Sequence, residues 1–353
     1  MIPYWSIWTL ILLGSLGSLP PAGSDDETVS HRIGIGLVLM MLALWLMIGL
    51  RDEVGGDWGN YVRIYESLSL LSASRALEYG DLGYSLINVV AASVDGGVYL
   101  VNLICAAFFC VGLAAIARRQ PLPWLAVLVA FPYLIVVVAM GYTRQGAAIG
   151  CIMIGLAGFL RHQSLLRYVF WIAVAALFHK TAVVALPLLA FVTNRGRLLN
   201  VALLASATVA LFFALLDDST DALVRNYIDA RYASSGAFIR VFMCVVPALV
   251  FFVSKKRLGF SELEQRMWRN FSWLALAAAV FLVISPSSTA VDRVALYLLP
   301  MQFVILARMP GQLMELQSGK LLVALYSGAV LFTWLNYAVN ASGWLPYRFW
   351  LTG

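Results

Sequence analysis

The chain has 353 residues, of which 62% are hydrophobic and 12% charged, with a mean hydropathy of +0.86. Soluble domains of this length do not carry that balance, so this is a polytopic membrane protein. The formal charge of +6 does not indicate nucleic acid, because Lys and Arg stand in short clusters between apolar runs, the pattern that sets membrane topology.

Residues 3–19 are apolar with no Lys or Arg ahead of them, and read as a first span with an outside N-terminus rather than a secretory signal. Residues 20–32 form a short inner loop, and 33–50 return outward. A polar outer segment follows over 51–84, in which Trp58, Tyr61, Tyr65 and Leu68 recur at helical spacing and predict an amphipathic helix along the interface. Residues 86–94 are too short to span and dip into the outer leaflet. Residues 98–117 cross inward, 124–140 outward and 146–160 inward, with 141–144 turning at the outer surface.

Residues 168–192 are apolar except for His179, Lys180 and Thr181 near the middle. A simple spanning helix has no reason to carry a His-Lys pair at its centre. Two half-length helices meeting at the pair explain it, bringing both side chains to a protein-lined cavity from within the bilayer. Residues 198–216 lead to a second outer loop over 217–240, and 241–253 lead in to the most basic loop, 255–269. The spans 271–284, 294–307 and 321–337 complete an all-α, single-domain membrane protein of about twelve crossings, with both termini outside. The proposed inner loops hold 14 of the 24 basic residues against six of the 18 acids, in keeping with the positive-inside rule. Cys105, Cys110, Cys151 and Cys244 lie inside apolar runs and read as small core residues.

The cations that break this rule carry the functional signal. Arg51, Arg63, Arg75, Arg144, Lys180, Arg225, Arg231, Arg240, Arg293 and Arg348 face outward. Paired guanidinium donors suit phosphate oxygens, so an outer cavity lined by them fits an anionic lipid headgroup such as a diphosphate. Snorkelling or local pairing accounts for some; Arg225, for instance, stands four residues from both Asp221 and Asp229. Arg144 and Arg293 are the stronger candidates. Asp57, in GGDWGNY, is either the N-cap of the amphipathic helix or a general base. His179, the one histidine placed with the outer cations, competes for the role of base, and its ordinary pKa suits proton removal near neutrality.

Arg51 with GGDWGNY, then Gly83-Tyr84, YTRQGAAIG, FHKTAVVALP and VDRVALYLLP, taken in that order, resemble the landmarks of the EpsG family of Wzy-like exopolysaccharide polymerases. The resemblance implies a GT-C-like glycosyltransferase of the bacterial inner membrane. Its donor and acceptor would be undecaprenyl-diphosphate-linked oligosaccharides, joined on the periplasmic face, with a polysaccharide co-polymerase as a further partner. On that basis Arg144 and Arg293 take the diphosphate, supported by Arg51 and Lys180, while Arg231 and Arg348 complete the substrate-binding cations. His179 or Asp57 is the base, and Tyr61 and Tyr142 line the sugar path. No cofactor or metal is expected, although Asp217, Asp218 and Asp221 have the DDxxD spacing of magnesium-dependent prenyl transfer. The rival readings are a flippase or transporter of lipid-linked oligosaccharide, and acyl transfer to sugars. The transporter is disfavoured by the expectation that only one segment is broken.

Overall fold

The computed structural model describes residues 1–20, 34–193, 196–215, 236–284 and 288–351. The second outer loop, with Arg225, Arg231 and the Asp217, Asp218 and Asp221 cluster, therefore lies almost wholly outside the described residues, as does Arg195.

The protein is built from helices: α1 (Ile2–Gly17), α2 (Ile35–Gly49), α3 (Trp58–Ser69), α4 (Ala73–Leu77), α5 (Leu82–Ser93), α6 (Gly97–Ala117) and α7 (Pro123–Ala130). After these come α8 (Thr143–His162), α9 (Leu165–Phe178), α10 (Arg197–Leu215), α11 (Ala237–Ser254), α12 (Glu262–Ile284), α13 (Ser288–Leu296), α14 (Pro300–Leu306) and α15 (Leu316–Tyr337). Among the described residues, five helices are long and apolar enough to cross a membrane: α6, α8, α11, α12 and α15. Seven shorter apolar helical segments accompany them. The fold is thus an all-α, multi-pass membrane protein.

The centre is α7 and its continuation, a π-helix over Phe131–Ala139. This segment is apolar on every side, so no face is left for lipid and every residue from Leu125 to Met140 is buried. Pro132 cannot donate to the ladder, and the wider π turn accommodates its ring. The Trp344 indole donates to the Val136 carbonyl at 2.7 Å, pinning the C-terminal segment to this post. Beside it α6 and α8 pack backbone to backbone. A Cβ on Gly112 would stand 2.2 Å from the Gly150 carbonyl oxygen, so only glycine permits the approach.

The expected hairpin is present. Helix α9 ends at Phe178, His179 is extended (φ −153°, ψ 108°), and a 3₁₀ helix runs over Lys180–Leu189. The Tyr168 hydroxyl donates at 2.5 Å to the Ala185 carbonyl, 17 residues on, which requires the chain to double back. A 14-residue helix reaches about 21 Å, short of the roughly 30 Å hydrocarbon layer, so α9 alone is too short to cross it before the break at His179.

Three features differ from the sequence expectation. Helix α12 starts within what reads as the basic loop, because Ser261 and Glu264 form a capping box. The Ser261 N–H donates to Glu264 Oε2 at 3.1 Å and the Glu264 N–H to Ser261 Oγ at 3.3 Å. The span expected over 294–307 is two short helices parted by a turn at Tyr297–Leu299, just ahead of Pro300, which supplies no ladder donor. With the π-helix, it makes the hairpin one of several interruptions rather than the single one. Finally, Arg51–Asp52 (β1) pairs antiparallel with Arg348–Phe349 (β2), tying the chain's last stretch to the first outer segment.

Candidate active site

Helix α3 is the predicted amphipathic helix, with Tyr61 and Leu68 buried beneath it. Asp57 stands at its N-cap position but makes no capping hydrogen bond, and its backbone (φ −99°, ψ 10°) lacks the extended conformation usual for a capping residue. Burial pushes its carboxyl above the ordinary carboxylate value, while Arg293 and then Arg144 pull in the opposite direction. His179, from the hairpin tip, lies within electrostatic reach of the same two arginines. Asp57 from the loop before α3 and His179 from the broken hairpin thus feel the same two cations, Arg144 from the first turn of α8 and Arg293 from the last turn of α13.

Arg144 lies in the first turn of α8. It donates to Asp81 Oδ2 at 2.8 Å, and its guanidinium stands 5.8 Å from the Tyr84 ring centre and against the Tyr61 phenol. The arginine remains 37% exposed while the carboxylate is 8% exposed. Asp81 is therefore a buried anchor and Arg144 the more accessible partner. The Lys180 backbone N–H also faces Asp81, so one carboxylate holds both Arg144 and the hairpin tip.

Arg293 belongs to α13. Its Nη1 donates to Gln145 Oε1 at 3.2 Å, and Gln145 Nε2 returns a bond to the Arg293 carbonyl at 3.0 Å. The guanidinium lies 4.8 Å from the Tyr142 ring centre, and its Nε is buried without a hydrogen-bond partner. One residue earlier, Asp292 takes a two-pronged bond from Arg240, whose Nη1 reaches the Tyr133 hydroxyl at 3.1 Å. The pair is buried and sets the rotation of α13.

Arg51 has a different setting. It is fully buried, and its donors go to the Val54 carbonyl at 3.0 Å, the Thr143 hydroxyl at 2.7 Å and the Ile48 carbonyl. It braces the end of α2 against the start of α8, one residue from Arg144. Arg348 pairs with Glu53 at the exposed strand pair, apart from the arginine cluster.

A cavity of about 650 Å³ opens between α11, α13 and α15. Its walls are mainly apolar, and its polar lining includes Arg293, Tyr142 and the Arg240–Asp292 pair. The site therefore joins a cationic centre to an apolar recess, which suits a ligand with an anionic head and a hydrocarbon tail.

Sequence reasoning did not single out Asp81, Gln145 or Asp292. Asp81 precedes the Gly83-Tyr84 landmark and Gln145 follows Arg144 directly, so both were within reach of the motifs. The Arg240–Asp292 pairing spans 52 residues and left no local signal.

The model of the EpsG family matches residues 35–349. Neither the curated proteins nor the solved structures give a match to this chain.

Proposed function

Because the chain belongs to the EpsG family of Wzy-like polymerases, we propose that it is an exopolysaccharide polymerase working at the outer face of the bacterial inner membrane. In this reading it crosses the membrane about twelve times with both termini periplasmic. A glycan on undecaprenyl diphosphate is the donor, and a sugar hydroxyl of another lipid-linked repeat unit is the acceptor. The hydroxyl oxygen attacks the anomeric carbon, the bond from that carbon to the phosphate oxygen breaks, and the diphosphate leaves with the electron pair. Asp57 or His179 takes the hydroxyl proton.

The observation that supports this is that Arg144, anchored by Asp81, and Arg293, anchored by Gln145, both act electrostatically on Asp57 and His179, while Arg293 also lines an apolar cavity. Negative charge grows on the leaving diphosphate, and fixed guanidinium groups are already oriented for it, so little reorganisation is needed as the bond breaks. Asp81 and Gln145 hold the two guanidinium groups in place, and Arg51 braces the turn from which Arg144 projects. The isoprenoid tail takes the cavity beside Arg293. Tyr142 flanks the sugars and Lys180 at the hairpin tip adds positive charge, whereas Tyr61, expected on the sugar path, is 3% exposed and instead packs beneath α3 against Arg144 and Tyr84. Arg231 and Arg348 serve the outer glycan path, and a co-polymerase sets chain length from outside the site.

A flippase is the second reading, favoured by the interruptions in the helices over residues 123–139 and 288–306. One experiment separates the two. Purified protein in detergent with EDTA is given lipid-linked repeat units, and wild type is compared with Arg144→Ala, Arg293→Ala, His179→Ala and Asp57→Asn. Polymer from wild type and its near-complete loss in the arginine variants is the expected result, and the weaker of the last two identifies the base. A folded wild type that makes no polymer but moves the lipid-linked glycan across a liposome membrane supports the flippase instead.

A further inference from the structure

Next to Asp57, and apart from the residues that line the apolar cavity, stands a group of aromatic rings that the proposed chemistry does not use. Trp58 follows Asp57 directly. Its ring centre lies 5.8 Å from that of Tyr99, which in turn stacks on Trp350 at 5.2 Å with 29° between the planes. The rings come from three distant parts of the chain and are held in place. The Tyr99 hydroxyl donates to Asp52 Oδ1 at 2.7 Å, the Trp350 backbone N–H donates to the Leu50 carbonyl at 2.9 Å, and the strand pair Arg51–Asp52 with Arg348–Phe349 fixes the two segments against each other. Trp350 is nonetheless 49% exposed, so core packing does not account for it. Asp52 and the exposed Glu53–Arg348 pair stand at the rim of the group.

We propose that Trp58, Tyr99 and Trp350 form a saccharide-binding platform that takes the glycan of the acceptor and leads its free hydroxyl to Asp57. This inference rests on the polymerase reading and assigns that reaction its acceptor side. Sugar rings present weakly positive C–H faces, which stack on the negative faces of indole and phenol rings. Carboxylates and a guanidinium at the rim supply acceptors and donors for the hydroxyls around each sugar. In this scheme Arg293 holds the lipid diphosphate and Trp58, the residue after Asp57, holds the acceptor.

The test uses the full chain in nanodiscs. The probe is a set of short oligosaccharides, released by mild acid from the polysaccharide whose synthesis requires this protein, titrated by calorimetry and by saturation-transfer NMR. Trp350→Ala is expected to weaken binding by about tenfold, with Trp350→Phe recovering most of it. In the polymer assay Trp350→Ala should raise the KM for acceptor with kcat nearly unchanged, and thermal melts check that the variant is folded. If wild type makes polymer while Trp350→Ala and Trp58→Ala bind the oligosaccharides as wild type does, the platform is overturned and the polymerase stands. Lowered melting temperature in bilayers with unchanged oligosaccharide affinity makes the rings a membrane anchor, which also overturns it. If wild type binds the oligosaccharides through Trp350 yet forms no polymer, the platform stands and the polymerase reading fails.

Discussion

Arg144 and Asp81 meet at 2.8 Å across 63 residues of chain, and the same carboxylate faces the Lys180 backbone N–H at the tip of the hairpin. Two of the site's cations are therefore positioned by one buried acid. If Arg144 stabilises the leaving diphosphate, Arg144→Ala should lower kcat by about 100- to 1000-fold, the usual cost of removing one such donor. Lysine should restore little, because a point charge does not reproduce the planar fork. Asp81→Ala leaves the charge of Arg144 but not its placement, and should cost about tenfold or more in kcat. Polymer formation at the wild-type rate by Asp81→Ala would show that Arg144 needs no anchor.

The pH dependence follows from Asp57. Its carboxyl sits above the ordinary carboxylate value because it is buried, and Arg293 is the largest force in the other direction. A base works only when ionised, so activity should fall as pH drops through this raised pKa. Removing a nearby positive charge disfavours the carboxylate, so in Arg293→Gln the acidic limb should move to higher pH. A pH–rate profile of the residual activity checks this. Because Arg293 also acts on His179, the single variants assign the role: a limb that persists in Asp57→Asn and is abolished in His179→Ala would give it to His179.

What could be read from the sequence depended on distance along the chain. The hairpin was legible because a His-Lys pair at the middle of an apolar run has few explanations, and the amphipathic α3 because Trp58, Tyr61, Tyr65 and Leu68 share a face. Arg144 and Arg293 stood out as cations against the charge rule, and both do lie within electrostatic reach of Asp57 and His179. The interior setting of Arg51 was not legible. Its partners at Thr143 and Asn102 become neighbours only when α6 and α8 pack, 92 and 51 residues away. The division of residues 288–306 was masked by a composition that suits a continuous span equally well, with Pro300 as its one local mark.

The Arg240–Asp292 pair invites a test that separates folding from chemistry. Both side chains are under a tenth exposed, so removing one partner strands a buried charge, at a cost of roughly 3–5 kcal/mol. Asp292→Ala should lower the melting temperature in detergent clearly. An Arg240→Met, Asp292→Leu double variant should regain much of that loss, since a well-packed apolar pair often matches a buried ion pair. Activity should stay low in the double variant, because the next residue is Arg293 and its direction depends on how α13 is held. Full recovery of both properties would make the pair a packing device only.

The loop that carries Asp57 offers the last test. Gly55 has φ +110°, a backbone conformation that side chains rarely adopt, and a Cβ there would stand 2.5 Å from the Met140 carbonyl oxygen. Its N–H is also bonded to the Gly343 carbonyl at 2.7 Å, so the loop is held between the π-helix end and the C-terminal segment. Gly55→Ala must distort either the loop or the post beneath it, costing about 1–3 kcal/mol in backbone strain alone. Any shift is passed directly to Asp57, two residues on. Gly59→Ala is the matched control: nothing lies within 4 Å of the added methyl, and inside α3 alanine should gain roughly 0.5–1 kcal/mol. Gly55→Ala should therefore lose both melting temperature and polymer formation, while Gly59→Ala keeps activity and melts slightly higher. Equal behaviour of the two variants would mean that the loop over Met140 adapts freely, and that Asp57 is not held in place by the turn at Gly55.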